Sequence, residues 1–369
     1  MTFLVRATVR LRLTIVLALC FVACALPAAL LARAYGGEIR MTSRMVAGVL
    51  PARSLLSVIQ LIQQHRGLSA VWLGGDDASA ALRLEKKKQI EAAMAEMAGH
   101  LKAEAPDARV VRSYERQAAA WATLESAVAR RQLDGLQSST RHTELVAGLL
   151  ETLDELADHW ELSFTPEPAT YFLVIAALRD APQMIELMSQ TQARGADLLS
   201  SKEGIAPTDR ARFEALQSSM KRTYDDMART LEKSVAAHAD AREAAQSIET
   251  RLGDIGRAGM RLARDNVLAP GKPALPPADY FRQTARVIDG MYAALGDTLA
   301  LLDKTMRGDV RARWQASLAV LAAVLATLLA AVGFTALTTH HLQRDLGTEP
   351  SALRDAAQRV RDGDLATPI

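Results

Sequence analysis

The sequence predicts an all-α protein, and three observations carry that expectation. Alanine recurs throughout the 369 residues while aromatic residues make up only 5%, and runs of β-branched residues are short, a composition that favours helix over sheet. Apolar positions repeat at helical spacing in segment after segment. Breaks between these segments fall where glycine, proline and capping residues gather.

Taken in order, the first element is an uncharged run, Leu13 to Leu31, flanked by Arg6, Arg10, Arg12 and Arg33. Its counterpart, Leu318 to Leu337, follows Trp314, a residue suited to a membrane interface. Each approaches the ~20 residues needed to cross a bilayer. An Ala-x-Ala-like triplet at Ala32 to Ala34 leaves a cleaved signal peptide as an alternative, but the apolar run is longer than such a region usually is. Two spans place both termini on one side and residues 33–313 on the other, with transmembrane helices at 13–32 and 314–338. Arginines at both flanks (Arg40, Arg44, Arg307, Arg311 and Arg313) blunt the charge bias, a rule from which long translocated domains are exempt.

Between the spans, the first helix runs on to Gly74 and Gly75, and Asp76 and Asp77 open a second that reaches about Ala105. Pro106 and Asp107 start a third, and a fourth begins near Ser138 or Ser139 and stops at the FTPEP stretch. The remaining helices are expected over Pro168 to Ser201, Pro207 to Val235, Asp240 to Val267, and from Pro277 into the second span. Eight helices of this length suit two four-helix-bundle modules, 33–165 and 166–313. A faint repeat agrees, since Gln64, Arg66 and Gly67 recur as Gln192, Arg194 and Gly195.

Several function classes are disfavoured. The 44 basic and 42 acidic residues are dispersed, with no basic stripe interleaved with aromatics, so nucleic acid is not an expected partner. Cys20 and Cys24 share one apolar run and cannot staple an external domain or form a cysteine metal site there. His340 and His341 follow the second apolar run. His142 and His159 share a helix with Glu151, Asp154 and Asp158 but lack any HExxH or paired ExxH spacing, and they read as solvated polar faces. No catalytic constellation, metal or cofactor is expected.

The candidate site instead rests on arginine. Leu55, Ile59, Ile62, Arg66, Ser69 and Leu73 are spaced 4, 3, 4, 3, 4, so Arg66 and Ser69 occupy a seam where a bundle wants aliphatic side chains. Arg194 lies on a similar seam with Met184, Leu187, Thr191 and Leu198. A guanidinium on a seam needs a partner. Its rigid fork suits a small planar oxyanion held between helices or subunits. The competing readings are a carboxylate from a neighbouring helix, or an arginine that snorkels out of a loose bundle end. Gly67 and Gly195 are expected to permit close helix packing, and Tyr171 is either a pocket wall or core.

The segment LGTEPSALRDAAQRVRDGDLATPI, 346–369, resembles the start of a HAMP linker of bacterial methyl-accepting chemotaxis receptors, with Glu349-Pro350 near its first helix and Gly363-Asp364-Leu365 at the turn into the connector. Leu346, Pro350, Leu353, Ala357 and Val360 are spaced 4, 3, 4, 3, the seam of a parallel bundle. HRGLS, 65–69, is similar to the Glu-Arg-Gly-x-Ser element of nitrate- and nitrite-sensing helical domains, with His65 where glutamate is usual. Glu161 to Leu187 looks like a helix of many two-span bacterial receptors, matching at Pro166, Tyr171 and Pro182 and departing at Thr165. These resemblances imply a homodimeric inner-membrane chemoreceptor sensor with cytoplasmic termini. Its helical periplasmic domain would detect a small solute, such as nitrate, nitrite or another anion. The partial linker, 339–369, stops before a second HAMP helix, so the kinase and adaptor would be reached through an output domain outside the chain. Alternatives are the sensor half of a histidine kinase or cyclic-dinucleotide enzyme, or a helical scaffold that binds a periplasmic protein.

Overall fold

The computed structural model describes residues 9–104, 108–165, 167–201, 204–237, 242–269, 275–346 and 357–361, and among them every regular element is helical. In chain order these are α1 (Val9–Leu73), α2 (Ala80–Glu104), α3 (Arg109–Ala129), α4 (Gly135–His159), α5 (Pro168–Ile175), α6 (Ala181–Ser200), α7 (Pro207–Ala237), α8 (Arg242–Ala263) and α9 (Pro277–Leu346). The all-α expectation is met.

Several elements differ from the sequence reading, two of them for a clear local reason. Helix α4 begins at Gly135 rather than near Ser138 because Asp134 closes a capping box: its carboxylate accepts from the Gln137 amide at 2.7 Å, and the Gln137 side chain accepts from the Asp134 amide at 3.1 Å. The stretch expected as one helix from Pro168 to Ser201 is interrupted by a π turn at Ala176–Asp180. Pro182, two residues beyond it, has no amide proton and would press its ring on the carbonyl of Leu178 in an unbroken α-helix, and the wider turn relieves that conflict. A second π turn, Arg264–Leu268, follows α8.

The chain divides into two compact units, 41–308 and a second built from 1–40 with 309–369. In the first, one hydrophobic cluster draws on Leu55, Ile59 and Ile62 of α1, Ile90 and Met97 of α2, Leu149 and Leu153 of α4, Met184 of α6, and Leu295 and Leu302 of α9. A smaller cluster gathers Leu198, Phe213, Ala263, Val267 and Tyr280. The paired glycines mark close approaches to consecutive aromatics of α9. A Cβ at Gly67 would lie 2.9 Å from the Phe281 ring, and one at Gly195 would lie 2.5 Å from the Tyr280 hydroxyl and 2.6 Å from its ring. Tyr280 is fully buried and donates to the Thr191 carbonyl at 3.2 Å, so its ring has little freedom to yield. Gly195→Ala is therefore expected to cost about 1–3 kcal/mol by overpacking. Gly99→Ala, where a Cβ meets nothing within 4 Å, should gain about 0.5–1 kcal/mol from helix propensity. Thermal melts followed by circular dichroism compare the two.

In the second unit the apolar stretches of α1 and α9 present aliphatic side chains outward, including Leu19, Leu26, Leu318, Leu325 and Phe334, all more than half exposed. Both helices are long and apolar enough to cross a membrane, with none of either apolar window buried. A row of solvent-facing leucines of this length suits lipid, not water. Glu38 and Arg313 form an ion pair in this unit.

Candidate functional site

Arg66 is the largest fully buried side chain in the described structure, 1% exposed. A guanidinium cannot be buried without compensation, and Glu186 of α6 supplies it. Arg66 Nη1 donates to Glu186 Oε1 at 2.7 Å and Nη2 to Oε2 at 3.2 Å, a two-pronged pair in which the carboxylate residue is 3% exposed. Nη1 also donates to Thr143 Oγ1 of α4 at 2.8 Å. The carboxylate takes two further donors, Gln63 Nε2 on Oε2 and Gln190 Nε2 on Oε1, each at 2.8 Å. Gln63 is fixed in turn by the Tyr292 hydroxyl of α9, which donates to its Oε1 at 2.8 Å. Burial, and then the Glu186 charge, push the Tyr292 phenol well above its ordinary range, so it stays a donor.

A second polar layer begins at the adjacent residues His65 and His142. His142 Nδ1 lies 2.8 Å from the Ser138 carbonyl, which can only accept, so the proton is on Nδ1 and Nε2 carries the lone pair. His65 Nδ1, 2.9 Å from that Nε2, must then be the donor, which leaves His65 Nε2 to accept from Arg83 Nη1 at 3.5 Å. Ser69 Oγ sits 3.2 Å from His65 Nδ1. Both imidazoles are neutral in this arrangement. Burial, followed by the neighbouring His142, Arg83 and Lys87, lowers His65 to about 2. Burial lowers His142 to about 4, with Arg66 and Arg83 acting in the same sense and the Ser138 carbonyl opposing them.

Arg83 of α2 donates to Glu125 Oε1 of α3 at 3.1 Å, and Lys87 reaches Glu125 Oε2 at 3.1 Å. The Arg83 guanidinium lies over the Trp72 ring at 4.7 Å while that of Arg131 lies 4.5 Å from the same ring. Trp121 meets His65 edge-on, their centroids 4.9 Å apart. Together these layers tie α1 to α2, α4 and α6 through charge-assisted hydrogen bonds, to α9 through the Tyr292 hydroxyl and to α3 through the Trp121 ring.

Of the sequence-predicted site residues, Arg66 and Ser69 fall in this network. Arg194 and Tyr171 do not: among the described residues no hydrogen bond or ion pair joins either to it. Arg194 is part-exposed and held by Asp197 at 2.6 Å and Asp209 at 2.5 Å, and Tyr171 is 39% exposed with its ring edge-on to Phe172. In the linker, Leu346 ends α9, and Ala357 and Val360 are helical and exposed; Pro350, Leu353, Gly363, Asp364 and Leu365 lie outside the described residues.

His142 corrects the sequence reading, since it is fully buried and not part of a solvated face. The signal was present: Ser138, His142, Leu145, Leu149, Thr152 and Leu156 are spaced 4, 3, 4, 3, 4, and all are buried. Glu125 is likewise on a seam with Tyr114, Ala118, Trp121 and Val128. Glu186, the partner that sequence reasoning left unnamed, is the single charged residue between Asp180 and Arg194.

The nitrate and nitrite sensing family matches residues 57–303, a span that holds the whole of this network. The chain belongs to that family. It is a sensing domain, and the two apolar helices of membrane-spanning length flank it in the chain. The solved structure of the NasR transcription antiterminator is similar to the chain at a TM-score of 0.58 and 15% identity, covering 88% of this chain and 85% of that one. At that identity the likeness speaks for the fold of the nitrate and nitrite sensing domain alone. No curated protein matches the chain.

Proposed function

We propose that this chain is the sensor and membrane portion of a bacterial methyl-accepting chemotaxis receptor whose periplasmic helical domain detects nitrate, nitrite or another small anion through Arg66. The observation that carries the ligand class is the enclosed, forked guanidinium of Arg66 within the family's matched span. A rigid planar donor pair held in a low-dielectric interior is matched to a planar monovalent oxyanion. Ser69 belongs to the neighbouring histidine layer through His65, whereas Arg194 is held by Asp197 and Asp209 and Tyr171 stands apart from both layers. The chemoreceptor context rests on the HAMP-like linker, with both termini cytoplasmic, residues 33–313 periplasmic, and the kinase and adaptor engaged through an output domain.

A homodimer fits the outer face of α1. Leu50, Ser54, Ser57, Leu61, Gln64 and Leu68 are spaced 4, 3, 4, 3, 4, carry no charge, and are all exposed or half-buried in the single chain. An uncharged stripe at this spacing is what a parallel helix pair packs.

Calorimetry on the full chain in detergent micelles, titrated with sodium nitrate or nitrite, tests the ligand. Binding should be lost in Arg66→Lys almost as fully as in Arg66→Ala, because lysine keeps the charge but not the fork. Binding that survives both, in variants with unchanged helical circular dichroism, removes Arg66 from the ligand site.

A further inference from the structure

We propose that Glu186 is an internal surrogate for the sensed anion, and that the ligand signals by displacing its carboxylate from Arg66. The inference rests on the reading of Arg66 as the ligand's anchor.

Shape is the first argument. The Glu186 carboxylate offers the Arg66 fork two oxygens in one plane and a single negative charge, and nitrate and nitrite offer the same. Whatever bonds the fork gives to a bound oxyanion, it already gives to Glu186.

Occupancy is the second. Both residues are almost wholly buried, and the two carboxylate oxygens already receive four hydrogen bonds, from Arg66 twice, Gln63 and Gln190. A second anion beside this carboxylate would meet a like charge in a low-dielectric interior. An oxyanion can therefore take the fork only as Glu186 leaves it. Gln190, one turn along α6 and half-buried, marks the side on which the freed carboxylate reaches water.

The third argument is what the exchange changes. Glu186 is covalently part of α6, so its bond to Arg66 latches α6 to α1, and the Gln63–Tyr292 bond extends the latch to α9. A diffusible anion restores the charge balance of Arg66 without any tether to α6. The π turn at Ala176–Asp180 lies directly ahead of α6, where the α-helical ladder is already broken, so α6 can shift without unwinding α5. The latched and ligand-bound states thus differ in a mechanical link as well as in an ion, and a ligand can bias only a pair of states that it distinguishes. The latch also lowers apparent affinity, because the binding-competent, unlatched state is a fraction of the population.

Nitrate affinity of the full chain in detergent, compared among wild type, Glu186→Gln and Glu186→Asp, tests the proposal. Glu186→Gln removes the internal charge at constant shape and should tighten nitrate binding at least tenfold. Glu186→Asp keeps the charge but withdraws it by one methylene, and should fall between that variant and wild type; it decides the matter if the glutamine variant loses its helical circular dichroism. Adding Arg66→Lys should abolish the gain in either background. Arg66-dependent binding in wild type with equal or weaker binding in both Glu186 variants overturns the surrogate role and leaves the Arg66 site standing. Absence of nitrate and nitrite binding in every variant, Glu186→Gln included, overturns both.

Discussion

Arg66→Met alone is expected to destabilise the sensing domain by about 3–5 kcal/mol, and Glu186→Leu alone by a similar amount, because each leaves the opposite charge buried and unneutralised. The Arg66→Met/Glu186→Leu double variant should recover most of that loss, since two apolar side chains of comparable volume neither need a partner nor strand one. The cycle is read from thermal unfolding of the full chain in detergent by circular dichroism. Additive losses would mean that the two residues do not act as a pair. Lys221 and Asp225, an exposed pair at 2.6 Å on α7, set the scale on the other side: breaking it should shift stability by no more than about 1 kcal/mol. Burial, not distance, separates the two cases.

Mild acid should destabilise the domain before its carboxylates titrate. His65 and His142 are held neutral in the folded core, at about 2 and about 4, whereas in the unfolded chain each takes up a proton near 6.5. The unfolded state therefore binds more protons below that value, and stability must fall with pH. The contribution is complete above about pH 6.5. Below it the loss steepens towards two protons, each worth about 1.4 kcal/mol per pH unit. His142 stops contributing to the slope as pH approaches about 4, and His65 only at about 2. His159, lowered by burial and then by Arg44, adds to the same slope. Carboxylate effects set in below about pH 5, so the interval from 6.5 to 5 isolates the imidazoles. Melting temperatures across that interval should decline in wild type and decline less steeply by one proton in His142→Gln; a flat profile in wild type would show that the imidazoles are solvated.

Much of this architecture was legible because helix-forming composition and spacing act locally. The uncharged runs, the Pro207 and Pro277 starts and the Arg66 seam could each be read within a window of two or three turns. Register between helices is a different matter. Nothing within α1 says that Arg66 faces α6, so the choice between a free fork and a carboxylate partner stayed open until Glu186 was placed against it. The same holds for Arg194, whose seam looked alike but which sits at the edge of the packing and is held by Asp197 and Asp209. His142 is the subtler case: Glu151, Asp154 and Asp158 on its helix are exposed, while its own spacing follows the buried Leu145 and Leu149, so periodicity is a better guide to its burial than its polar type. The capping box at Asp134 was readable in principle, as aspartate followed three residues later by glutamine. The π turn before Pro182 was readable only in part, as a proline where a helix interior was expected.

The contact of Trp121 with His65, and the two guanidiniums of Arg83 and Arg131 over Trp72, have an optical consequence. Indole emission depends on the charge and distance of its immediate neighbours, and an imidazolium quenches it where a neutral imidazole does so far less. Two of the four tryptophans therefore act as native fluorophores wired to the polar core, while Trp314, in the unit that carries the apolar stretches, supplies an internal reference. A rearrangement of α1 against α3 is written into the emission spectrum of the unlabelled chain, where stopped-flow mixing can follow it in real time.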